Sequence, residues 1–108
     1  MKLQGKFNKS LANPVYADTI TQREFCIIDT RMPEDYQQAH ISEAENIFDF
    51  ATLSQKILEN PDVDFLIHCY SGHTVSVYGS HLVEMGAKNV FYFDGSFAEI
   101  YNAIQKIK

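Results

Sequence analysis

Three short runs of this chain carry almost no polar residue: Phe25-Cys26-Ile27-Ile28, Phe65-Leu66-Ile67 and Val90-Phe91-Tyr92-Phe93. A strand with one wet face alternates apolar and polar side chains, so a run that does not alternate needs cover on both faces. Between the runs lie segments with helical spacing. Val75, Tyr78, Leu82 and Met85 fall at i, i+3, i+7 and i+10; Phe50, Leu53 and Ile57 share one face, as do Phe97, Ile100, Ile104 and Ile107. Buried strands alternating with amphipathic helices predict an α/β fold of three layers, a mostly parallel central sheet with helices on both faces. In such sheets ligands bind beyond the carboxyl ends of the strands. Function is therefore sought where the strands end.

Local signals place the elements. Residues 1–14 read as a lead-in along the domain edge, with Leu3, Phe7 and Leu11 four apart, and Val15-Tyr16 as a short edge strand. Thr19 with Gln22 has the capping-box spacing and predicts a short helix through Glu24. Pro33 followed by Glu34 and Asp35 is a helix start, and residues 44–47 read as another short strand. Asp49 is placed to cap the helix of Phe50, Leu53 and Ile57, which Asn60-Pro61-Asp62 ends. Gly86 suits the stop after Met85. Asp94-Gly95 is a turn, and Ser96 with Glu99 forms a second capping box. Lys106 and Lys108 stand at the negative end of the last helix. No repeat, linker or low-complexity segment divides the 108 residues, so one domain over 1–108 is expected.

The stretch His68-Cys69-Tyr70-Ser71-Gly72-His73-Thr74 carries the chemistry. Strand, tight loop and helix together aim several backbone N–H groups and a helix N-terminus at one spot. A cysteine opening that loop has its sulfur in a positive field that favours thiolate and would hold a persulfide or an oxyanion equally well. Gly72 supplies the positive φ that such a loop needs. Tyr70, Ser71, Gly72, His73 and Thr74 are the candidate substrate-binding residues. His73 reads equally as a donor to substrate or as an exposed loop histidine, and Thr74 is expected to cap the helix. Tyr70 lines the mouth or is a surface aromatic. His68 and Cys69, adjacent on a strand, point to opposite faces, which argues against a shared metal. With no CxxC pair either, no metal or cofactor is expected. Cys26, inside an apolar run, reads as a core residue, and a disulfide between the two cysteines does not suit a cytosolic setting. The net charge of −5 disfavours nucleic acid and anionic membranes, and no apolar run reaches a membrane-spanning length. A cytoplasmic protein is expected.

Several weak motifs in a fixed order then resemble a known family. Ile27-Ile28-Asp29-Thr30-Arg31, followed by Glu34, Tyr36, His40-Ile41, Ala44 and Asn46-Ile47, looks like the first motif of single-domain rhodanese-like proteins. His68-Cys69-Tyr70-Ser71-Gly72 looks like their active-site loop, and Leu82, Gly86, Asn89-Val90 and Gly95 match the later pattern. The resemblance implies the rhodanese-like fold and a sulfurtransferase or persulfide carrier. In it, Cys69 takes a sulfane sulfur from thiosulfate or another small donor and passes it to a thiol acceptor, to cyanide, or to a sulfur-relay protein. It also puts Asp29 and Arg31 near the loop, where a bracing ion pair is expected rather than substrate contact. His40 is expected to be structural, as are His68 and His81.

Departures from the family pattern bear on this. The loop commonly carries Arg at the fifth position after the cysteine, where this chain has Thr74. An Arg there gives charge-assisted donors to an oxyanion; Thr74 offers one hydroxyl. Weaker use of thiosulfate is expected. A cysteine-based phosphatase or arsenate reductase needs its Arg one residue later, at Val75, and is disfavoured for the same reason. Ala39, Ser96 and the absence of Trp near Ile100 are structural departures. The competing class is a catalytically silent rhodanese-like module that binds a protein partner.

Overall fold

A computed structural model describes residues 9–107, the last two by backbone alone. Five strands, β1 (Asn13–Val15), β2 (Cys26–Asp29), β3 (Glu45–Asn46), β4 (Phe65–His68) and β5 (Val90–Phe93), pair in the order β1-β5-β4-β2-β3. Every pairing is parallel. The helices are α1 (Pro33–Gln38), α2 (Phe50–Leu58), α3 (His73–Glu84) and α4 (Phe97–Ile107), with a 3-10 turn over Ile20–Gln22.

Two cores lie on the two faces of the sheet. Ile28, Phe65, Ile67, Val90 and Tyr92 pack with Leu53 and Ile57 of α2 and Val75 and Leu82 of α3. Ile27, Leu66 and Phe93 pack with Ile41, Ala44 and Ile100 of α4. Both faces of β4 are thus covered, as its unbroken apolar run requires. Asp49 caps α2 as expected, its Oδ2 accepting from Thr52 N at 2.7 Å. The Ser96–Glu99 box is reciprocal: Ser96 N donates to Glu99 Oε1 at 2.8 Å and Glu99 N to Ser96 Oγ at 3.2 Å. Gly86 stops α3 in the left-handed region at φ 104.

Four expectations are corrected, and others fall outside the description. Thr19 does not cap a helix; its hydroxyl turns back on Tyr16, accepting from the N–H at 3.1 Å, and only a three-residue 3-10 turn follows. The edge strand is Asn13–Val15 and stops before Tyr16. Met85, the C-cap of α3, is half in water rather than on the packed face with Val75 and Leu82. Leu11 is well exposed rather than packed along the edge. Leu3, Phe7, Lys108 and the Lys106 and Ile107 side chains lie outside the described residues. Among the described residues, no helix is long and apolar enough to cross a membrane.

Candidate active site

Parallel strands deliver their carboxyl ends to one rim. Asp29 is in register with both Asn46 and His68, so the residues that follow β2, β3 and β4 emerge side by side. Successive β4 side chains alternate faces. Cys69 accordingly joins the core under α2 and α3, while His68 stacks on Phe97 of α4 at 5.8 Å between ring centroids.

Cys69 is 3% exposed, so its sulfur is set into the rim rather than lying open at a loop mouth. The Gly72 N–H donates to Sγ at 3.3 Å. That N–H is aimed inward because Gly72 is left-handed, at φ 94 and ψ −13, a conformation that costs a residue with a Cβ about 1–2 kcal/mol. Gly72 is also the N-cap of α3, and its carbonyl accepts from Ser76 N at 3.1 Å. The cap therefore falls two residues earlier than expected from the sequence. Thr74 is the second helical residue rather than the cap, because Gly72 has already made the turn. Ser71 of the loop and His73 and Thr74 of the first turn of α3 are exposed. The Tyr70 ring is exposed too, but its hydroxyl donates to Asp35, which raises the phenol pKa, and accepts from Met32 N at 3.2 Å, which partly opposes that rise. Its carbonyl accepts from Phe97 N at 2.9 Å. The cysteine loop is thus tied to α1 on one side and α4 on the other.

Beside the loop sits a buried pair. Arg31 donates through Nε to both Asp29 oxygens at 3.1 and 3.2 Å and through Nη2 to Oδ2 at 2.8 Å. Nη2 also reaches the Ala39 carbonyl at 2.6 Å, and the guanidinium lies 3.7 Å over the Phe97 ring. Asp29 is fully buried and Arg31 nearly so. Asn46 Nδ2 holds the Asp29 and Arg31 carbonyls, each at 3.0 Å. Thr30 donates N–H and hydroxyl to the His68 carbonyl at 2.9 and 3.0 Å, locking β2 to the residue before the cysteine.

His68 is fully buried, and neither ring nitrogen has a hydrogen-bond partner. Its Nε2 lies 3.8 Å from Asp29 Oδ2, too far for a hydrogen bond. Burial pushes its pKa down to about 4, with Asp29 and the Cys69 backbone opposing the shift and Arg31 reinforcing it, so the ring is neutral at physiological pH. His40 is half-buried, stacked on Tyr36 at 3.8 Å with Nδ1 2.8 Å from the Tyr36 carbonyl. His81 is exposed on α3. Both cysteines are free, and Cys26 is half-buried against the core. No cluster of metal-ligating side chains occurs among the described residues.

The structure thus brings Cys69, Tyr70, Gly72, Asp29 and Arg31 to one rim. In the sequence Phe97 reads as a helix-face residue, and its place between Arg31 and His68 emerges only in the fold. The available signal was its position just past the end of β5, on the same rim. Asp35 and Thr30 were likewise missed, since their partners lie 35 and 38 residues away in sequence.

The sequence matches the family described as Rhodanese-like domain over residues 9–103. The thiosulfate sulfurtransferase GlpE of Pseudoalteromonas translucida is 31% identical over 81 residues, 74% of this chain and 76% of its own length. The GlpE of Coxiella burnetii is 32% identical over 82 residues, 74% and 75% of the two chains. Reduced CoADR-RHD of Bacillus anthracis superposes with a TM-score of 0.66 at 28% identity over 89% of this chain, which spans 17% of that longer one. A rhodanese-like domain protein of Staphylococcus aureus superposes with a TM-score of 0.62 at 17% identity, covering 82% and 90% of the chains, a likeness of fold.

Proposed function

The chain belongs to the Rhodanese-like domain family, and from that premise we propose that it is a sulfurtransferase working through a persulfide on Cys69. The observation that carries this is the Cys69 sulfur itself, at the carboxyl end of β4, receiving the Gly72 N–H at the N-terminus of α3. Relatives named thiosulfate sulfurtransferase support the reaction class.

The Cys69 thiolate attacks the sulfane sulfur of a donor. The bond from that sulfur to the rest of the donor breaks, and its electron pair leaves with sulfite or a thiolate. A new Sγ–S bond holds the transferred atom. An acceptor thiolate, or cyanide, then attacks the outer sulfur, and Cys69 leaves as a thiolate. The two steps balance without an external oxidant or reductant, and the covalent intermediate divides one transfer into two. The anion on sulfur is stabilised by the inward Gly72 N–H and the positive end of α3. Ser71, His73 and Thr74 flank the path of the substrate, and Tyr70 borders it. Asp29 and Arg31 act through position, bracing the loop. With Thr74 in place of an arginine, small persulfides suit the site better than the thiosulfate dianion. A reducing compartment, the cytoplasm, fits a protein whose two cysteines are both free.

Thr74 and the set-in sulfur favour a second reading, a silent module that binds a protein. Thiocyanate formation from cyanide separates the two. The proposal expects turnover with a small persulfide donor and none in Cys69→Ser of unchanged fold. Equal background rates in both proteins, with partner binding unaffected by the substitution, support the module.

A further inference from the structure

The rim around Cys69 carries three large apolar side chains in water. Tyr70 is 48% exposed, Met32 47% and Phe48 52%. Their grouping follows from the register: Phe48, Met32 and Tyr70 each stand two or three residues beyond the aligned Asn46, Asp29 and His68. Tyr70 and Met32 touch through the Tyr70 hydroxyl, and Asn46 clamps the Arg31 carbonyl next to Met32. Single exposed apolar residues are ordinary, but Tyr70 and Met32 in contact, with Phe48 leaving the next strand onto the same rim as the Cys69 loop, form the basis of a contact surface.

Acids accompany each of them. Glu34 and Asp35 open α1 just after Met32, and Asp35 accepts the Tyr70 hydroxyl. Asp49 directly follows Phe48, and two donors from Thr52 hold its carboxyl below the usual carboxylate range. The described cations are engaged or elsewhere. Arg31 is buried on Asp29, Lys56 pairs with Glu45 and Arg23 with Asp64. Lys88 precedes β5 at the amino end of the sheet, and Lys9 stands before β1, the strand at the opposite edge of the sheet from β3 and Phe48.

We propose that this acid-rimmed apolar collar docks a protein partner that presents its reacting cysteine on a segment bearing apolar and basic residues. The inference rests on Cys69 being the sulfur carrier. An apolar centre with a charged border is the anatomy of a protein contact. Three side chains make it a small, transient one, in which opposite charge sets rate and orientation more than affinity. A transfer protein needs that, since the loaded partner has to leave.

Peptides of one length with a single cysteine, flanked by Leu and Lys, by Leu and Glu, or by Gly and Ser, test it on the full chain. Anisotropy of the labelled peptides against the unloaded protein reads docking directly. The Leu/Lys peptide is expected to bind about tenfold more tightly than the Leu/Glu peptide, from two or three exposed charge pairs. The preference should fall with added salt and in Phe48→Ser and Glu34→Lys, neither of which touches the buried core. Equal binding of the three peptides, or a preference that survives both substitutions, overturns the docking surface. In parallel, Cys69 is loaded with a small persulfide and transfer to the peptides is followed. Failure to load, with the Leu/Lys preference intact, overturns the sulfur-carrier reading and leaves the docking surface standing. Loading without any peptide preference does the reverse.

Discussion

His68 makes the stability of this fold depend on pH in a calculable way. Its imidazole is fully buried without a hydrogen-bond partner, and its pKa lies at about 4 against a usual 6.5. Between those values the unfolded chain binds a proton that the folded chain refuses, so stability rises with pH across the window. The contribution is fully present above about pH 6.5 and is lost as pH falls towards 4. Linkage puts the loss at about 2 kcal/mol between pH 7 and pH 5, and about 3 kcal/mol by pH 4, for one group with this shift. Urea denaturation of the wild type and of His68→Leu at a series of pH values is the assay. Leucine keeps the volume close and strands no polar atom, so the variant is expected to be within about 1.5 kcal/mol of wild type at pH 7. Below pH 6.5 the wild type should lose about 2 kcal/mol more than the variant by pH 5. Parallel curves for the two proteins would refute the reasoning, because they would mean that His68 takes up its proton in the fold as easily as out of it.

The remaining expectations concern the rim. Arg31→Met leaves Asp29 buried without its partner and should cost about 3–5 kcal/mol by thermal or urea unfolding; a loss under about 1 kcal/mol would show that the pair contributes no more than a surface one. Gly72→Ala should cost about 1–2 kcal/mol for its left-handed backbone and lower sulfur transfer further by moving the N–H away from Sγ; a stable protein with full activity would contradict the inward N–H. Thr74→Arg adds charged donors at the second residue of α3 and should raise kcat/KM for thiosulfate about tenfold relative to a small persulfide, in steady-state thiocyanate assays; no change in that ratio would remove Thr74 from donor choice.

Much of this architecture is legible in the sequence because its signals are local. Runs that do not alternate mean doubly covered strands, and β4 and β5 have their expected bounds. Asp49 and the Ser96–Glu99 box form caps within three residues of sequence, where competition from the rest of the fold is weak. Thr19 fails by the same logic: its helix is too short to hold the capping geometry, and Tyr16 offers a nearer partner. The cap of α3 differs from expectation because Ser and Thr preferences point to Thr74, while the left-handed turn at Gly72 starts the helix earlier. The alternation of His68 and Cys69 across the sheet was readable from period two alone. What it could not convey was depth. The burial of the Cys69 sulfur, the orphaned imidazole and the stacking of Arg31 on Phe97 depend on elements far apart in sequence meeting at one rim. The Asp29–Arg31 pair lay between, since its spacing is local but its burial is not.

Intact mass spectrometry of the reduced protein, mixed separately with thiosulfate and with a small persulfide, tests the central claim most directly. The account predicts a gain of one sulfur atom from the persulfide, reversed by cyanide or a reducing thiol and absent in Cys69→Ser, with a weaker gain from thiosulfate. No gain from either donor, in protein whose Cys69 is shown to be free and reduced, would contradict it.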